Sequence, residues 1–149
     1  MGVAPGPTSP GLALRLLGQL WASPLTAAGL LHALLLGARP RGVVGGAVEL
    51  VAPRRGPLPW FFRTFHVSAY TWGAVIVFRS EGLRADVGLR RHEQEHVRQC
   101  WLLGPLMIVA YPASSCFCLL TGRKAYRDNW FEVEARRAAA AHLAAIGQG

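Results

Sequence analysis

The sequence predicts an α+β fold, mostly helical, with a small β-sheet placed ahead of one charged helix. Three observations carry this expectation. Residues 43–51 and 70–78 are dense in β-branched and aromatic residues, the composition of strands. Residues 89–103 contain neither Pro nor Gly and set Leu89, Val97, Leu102 and Leu103 around a charged centre, as a helix does. The flanking segments 12–36 and 129–146 are Leu- and Ala-rich and carry helix-start signals. With 149 residues the chain is long enough for one domain with a real core.

Along the chain, residues 1–11 (MGVAPGPTSPG) form a Pro/Gly tail expected to be disordered, and residues 12–149 form the single domain. No basic region precedes the apolar run, so a signal peptide is not expected. Residues 12–36 read as two apolar helices, 12–22 and 24–36, because Ser23-Pro24 resembles an N-cap followed by a first-turn proline. Either helix suits membrane contact. Residues 37–46 read as a Gly/Arg/Pro linker, 43–51 as the first strand, 53–59 as a turn-rich loop and 70–78 as the second strand. Residues 102–120 are nearly continuous apolar sequence, a buried helix or a membrane segment, with Arg123, Lys124 and Arg127 at its end. Asn129 is a good N-cap for the last helix.

The charged helix holds the most informative residues, His92-Glu93-Gln94-Glu95-His96. Helical residues four apart stand one above the other on a single face. This H-E-x-x-H spacing lets His92 and His96 grip one Zn²⁺ while Glu93 stands beside the metal, placed to act as general base toward a zinc-activated water. The competing description is a solvated charged turn in which Arg90, Arg91, Glu93, Glu95 and Arg98 are ordinary helical partners. Five histidines in the whole chain make a chance pair at this spacing uncommon.

A catalytic zinc site takes three protein ligands and keeps one position open. Downstream candidates are Glu132, Glu134 and His142. Glu132 stands three residues after Asn129, where a capping-box Glu reaches back to the helix start. Glu134 lies about 200° away around the helix, so the two cannot face one metal. His92-Glu93-x-x-His96-Val97-x-Gln99, followed by Asn129-Trp130-Phe131-Glu132-Val133-Glu134-Ala135, resembles a minimal gluzincin-type zinc metallopeptidase over roughly residues 70–140. The downstream stretch is similar to the E-x-x-A-D third-ligand helix of integral-membrane gluzincins. The resemblance implies a zincin-like core over 43–149, with His92, His96 and Glu132 as metal ligands and Glu134 as the alternative. It also implies Glu93 as the catalytic base and a peptide or protein as substrate. Arg136 stands where those families place an Asp that braces a histidine ligand. Oxyanion donors remain open among Tyr70, Tyr126, His66 and His142.

Composition bounds the rest. The chain is 52% hydrophobic and 16% charged, against a usual charged share of about 25%. Sixteen Lys and Arg against eight acids give a net charge of +8. The arginines are scattered in pairs, with no dense block, no zinc-finger spacing and no aromatic-basic pattern, so no nucleic-acid partner is expected. Attraction to anionic lipid fits the apolar background, and the expected location is membrane-associated, with cytoplasmic the alternative. Cys100, Cys116 and Cys118 lack metal or redox spacing and read as reduced apolar residues. The rival function is a non-catalytic membrane-associated module with a structural or vestigial zinc site.

Overall fold

The structure, a computed structural model, describes residues 11–147. The tail expected over 1–11 therefore lies, Gly11 apart, outside the described residues. Seven α-helices are described, α1 (Leu12–Trp21), α2 (Ser23–Leu35), α3 (Pro57–Thr64), α4 (Glu81–Ala85), α5 (Val87–Leu103), α6 (Met107–Leu120) and α7 (Trp130–Ile146). Four strands, β1 (Arg39–Val44), β2 (Ala47–Val51), β3 (Ala69–Trp72) and β4 (Val75–Phe78), form one mixed sheet. The fold is thus α+β and mostly helical.

Neither expected strand is a single strand: 43–51 holds the end of β1, a turn and β2, and 70–78 holds most of β3, a turn and β4. Gly45 and Gly46, at φ +61° and +84°, turn the chain between β1 and β2, so a strand begins inside the segment read as linker. Gly73, at φ +61°, does the same between β3 and β4. Two-residue hairpins need positive φ, which glycine adopts without strain. Helix α3 replaces part of the loop expected over 53–59, because Pro57 sits in its first turn and Leu58 and Phe62, four apart, find buried positions. At α2, Ser23 lies inside the helix and makes no cap bond; the preceding helix runs almost directly into it through Ala22.

Strand order is β1-β2-β4-β3, with β2 and β4 parallel in the centre and an antiparallel neighbour outside each. Central β4 (Val75, Ile76, Val77, Phe78) is buried at every position, as a strand covered on both faces must be. On one face Leu50, Val75 and Val77 pack with Leu58 and Phe62 of α3 and Ala33 of α2. On the other, Val51, Ile76 and Phe78 pack with Val97 of α5. The same face carries Glu49, fully buried, whose carboxylate meets Arg84 Nε at 2.8 Å and Arg90 Nε at 2.9 Å. That ion pair ties the start of the charged helix to the centre of the sheet.

The run Val87–Leu120 is, by length and composition, one helix long and apolar enough to cross a membrane, and 17% of its apolar window is buried. It is not a straight rod. Gly104 takes φ +54° and ψ −134° and lets the Trp21 ring sit against its α-carbon, which bends the chain between α5 and α6. The 14 residues of α6 reach about 21 Å, short of the roughly 30 Å of a bilayer core. The chain then doubles back: Cys118 Sγ contacts Asp128 O at 3.2 Å, and Asn129 Nδ2 donates to Ser115 Oγ at 2.8 Å and Tyr111 O at 3.1 Å. Both α1 and α6 expose large apolar side chains, among them Leu17, Leu20, Val109, Phe117 and Leu120. All three cysteines are free.

Glu49→Ala is expected to lower stability by about 2–3 kcal/mol, since it strands two arginines that lie only about a quarter exposed. Denaturant unfolding checks it; a loss within 0.5 kcal/mol, about the surface-mutation range, contradicts the clamp.

Candidate metal centre

Helix α5 begins under a cap, with Asp86 Oδ1 accepting from the Leu89 amide at 2.8 Å, and runs unbroken to Leu103. Its inner face buries Glu93, His96, Val97, Gln99 and Cys100, so the motif lies against protein rather than in solvent. Helix α7 begins at Asn129, whose side chain accepts from the Phe131 amide at 2.9 Å. The capping box expected of Glu132 does not form. Glu132 turns instead toward α5 and is buried there.

His92, His96 and Glu132 come together, each offering a donor atom within 4.8 Å of the others. His92 Nε2 and His96 Nε2 are 3.2 Å apart; Glu132 Oε2 lies 3.3 Å from His92 Nε2, and Oε1 lies 3.2 Å from His96 Nε2. Ligands at about 2.0–2.1 Å from a tetrahedral zinc stand roughly 3.3 Å from one another. The closest contacts are of that size, the two histidines meeting different oxygens of the Glu132 carboxylate. Glu134, the alternative ligand, points elsewhere and pairs with Arg137 at 3.0 Å, as its angle around the helix requires. His142 is exposed far down α7.

Gln99 settles the chemistry of His96. Its Nε2 donates to the Phe131 carbonyl at 3.1 Å, which leaves Oε1 facing His96 Nδ1 at 2.9 Å. Since that oxygen only accepts, Nδ1 carries the hydrogen and Nε2 presents a lone pair to the site. His96 Nε2 thus turns a lone pair toward the point where His92 Nε2 and the Glu132 carboxylate also converge. A cation held there would take a lone pair from each group, and zinc accepts such an N,N,O donor set.

The acid–base environment follows from the same contacts. Burial opposes a charge on Glu132, yet its bonds to His92 and His96, with a 2.7 Å bond donated by Tyr111, hold it well below the usual carboxylate range. Burial also opposes a charge on His96, but Glu132 and Glu93 outweigh it and raise the ring above its ordinary value. Glu93 is raised by burial, against the pull of His96 and of Thr71, whose hydroxyl donates to Glu93 Oε2 at 2.7 Å. Tyr126 also reaches Glu132, and burial pushes its phenol up to about 12.

These residues line a cleft of about 500 Å³ between β3, α2, α5 and α6. Of the four oxyanion candidates, Tyr70 and Tyr126 line it; His66 and His142 are exposed elsewhere. Arg136 donates to the Arg127 carbonyl and keeps a guanidinium nitrogen 3.9 Å from Glu132 Oε2, so the bracing of a histidine falls to Gln99. Tyr111 and Thr71 escaped the sequence reading. Their signals were present: a phenol inside an apolar run needs a buried partner, and alternate β3 residues face the charged helix. Comparison of the chain with protein-family models, with curated proteins and with solved structures finds no match.

Glu132→Gln is expected to abolish stoichiometric zinc, whereas Glu134→Gln keeps it, as metal analysis of both purified variants would read out. Gln99→Leu should weaken zinc affinity about 10–100-fold, the usual cost of losing a histidine's outer hydrogen bond; unchanged affinity would show that Gln99 only packs.

Proposed function

We propose that this chain is a zinc-dependent metallopeptidase of the gluzincin type, acting at a membrane surface. The observation that carries the reading is the convergence of His92, His96 and Glu132, whose donor atoms lie within 4.8 Å of one another beside a cleft. A structural zinc site is closed by four protein ligands, whereas three ligands beside a cleft describe a catalytic one. This favours hydrolysis over the non-catalytic module.

When bound, zinc supplies Lewis acidity and brings the pKa of water down toward about 7. The chain supplies the rest. Glu93, buried and held by Thr71, stands one residue from the ligand His92, placed to take a proton from the attacking water. As the water oxygen bonds to the carbonyl carbon and the C–N bond breaks, the same carboxyl returns the proton to the leaving amine. Tyr126 stands at the cleft wall as the candidate donor toward the developing oxyanion, whereas the Tyr70 hydroxyl lies 3.3 Å from His32 Nδ1. Edge strand β3 lines the same cleft as the residues that would hold the metal, with one side unpaired in the sheet, which suits a substrate held as an added strand.

The membrane part of the reading rests on exposed Leu17, Leu20, Val109, Phe117 and Leu120 together with the net charge of +8. Contiguous apolar surface beyond a few hundred Å² marks an interaction face. The bend at Gly104 and the return of residues 121–129 along α6 favour a face lying on the bilayer over a single crossing.

Glu93→Gln should keep zinc and fold while losing about 10²–10⁴-fold in hydrolysis of an unstructured protein substrate. A variant that cleaves as fast as the wild type contradicts the assigned base. Sedimentation with vesicles should show binding that strengthens with anionic lipid and falls when Val109 and Leu120 are both changed to Asp; a monodisperse protein that ignores vesicles contradicts the membrane reading.

A further inference from the structure

Among the residues that line the cleft are two groups of opposite character. His92, Glu93, His96 and Glu132 form one. The other is Leu25 and Ala28 of α2, Cys100 of α5, and Met107, Ile108 and Pro112 of α6. None of the chain's sixteen Lys and Arg residues lines the cleft, although the protein carries a charge of +8. Leu25, Cys100 and Met107 belong to one buried cluster with Phe131, so this wall is backed by packed protein. Ala28, Ile108 and Pro112 are exposed at the mouth.

Helix α2 is held rigidly in this position. A Cβ on Gly29 would lie 2.7 Å from the Trp72 Cβ, so the helix backbone rests directly on β3. Thr26 Oγ1 accepts from the Ala74 amide at 2.9 Å, and Gly73 gives Thr26 room to do so. His32 stacks on Trp72 with ring centroids 5.0 Å apart. Leu25 and Ala28, three residues apart, therefore present one fixed face to the metal side.

We propose that this wall is a side-chain subsite that takes a bulky apolar residue flanking the scissile bond. Helix α2 is its specificity element, with Leu25 setting the depth and Ala28 keeping the mouth open. A volume of about 500 Å³ admits a short peptide segment, not a folded domain. A carboxylate placed against this wall would lose part of its water and meet no Lys or Arg in the cleft. The inference rests on the peptidase reading for its substrate class, but the subsite can be tested without turnover.

The probes are blocked hexapeptides of Gly and Ala carrying one variable residue: Leu, Phe, Gly or Asp. Binding is measured on zinc-loaded full-length Glu93→Gln, and cleavage on the zinc-loaded wild type. The Leu and Phe peptides should bind about tenfold or more tightly than the Asp peptide, the scale of apolar-pocket discrimination. In the same Glu93→Gln background, Ala28→Trp should lower the Leu-over-Gly binding ratio about tenfold, with zinc content reporting an intact site. Leu25→Ala should shift preference from Leu toward Phe by enlarging the pocket. Equal binding of Leu and Asp peptides, or ratios unmoved by both variants, overturns the proposal. Selective binding with no cleavage by the wild type upholds the subsite and removes the peptidase reading. Cleavage without selective binding does the reverse.

Discussion

Everything in this molecule turns on how α7 is held against α5. The two helices are separated by a long apolar segment in sequence, and each brings an incomplete part of a charged cluster. Gln99 is the hinge-pin. One end of its amide fixes the His96 ring, and the other holds the Phe131 carbonyl, one residue before Glu132. The orientation of the His96 ring and the position of the Phe131 backbone before Glu132 are thus tied to one fully buried side chain. Tyr111 adds a second constraint from α6, so Glu132 is oriented from two directions. Groups fixed in this way need little reorganisation when a cation arrives.

Burying this many charges carries a cost that the rest of the fold must offset. Glu49, Glu93, Glu95, His96 and Glu132 are all buried in a chain with only eight acids. Glu49 and Glu95 meet arginines, whereas Glu93 and Glu132 meet histidines and hydroxyls. Glu49 ties the start of α5 to the sheet through Arg90, Glu95 pairs with Arg91 and Arg98 of its own helix, and Glu93 and Glu132 face the cleft. The sheet allows this by supplying two apolar faces, one for α3 and α2 and one for α5.

The outward faces of α1 and α6 follow from the same economy. A chain this small has one core, and the sheet and α5 use it. Helices that flank the core keep apolar residues on the outside, where water gains nothing from them. The proposed association with a lipid surface gives those side chains a partner.

Much of this was legible residue by residue. The four-residue repeat of His92 and His96 fixes a shared helix face whatever surrounds it, and the 200° angle between Glu132 and Glu134 means that only one can serve. Strand composition marked the sheet but not its hairpins, because a Gly-Gly pair reads equally well as linker or tight turn until something pairs across it. Helices α3 and α4 went unseen, being too short for a period to show. Glu132 carried two local roles, cap and ligand, and local sequence could not choose. The choice was made when the chain folded back along α6, placing Asn129 on Ser115 and Tyr111 and turning Glu132 toward the imidazoles. Spacing along one helix is a local property that the sequence determines; the meeting of two helices, with α2 and β3 enclosing a cleft beside them, depends on long-range packing that no short motif encodes.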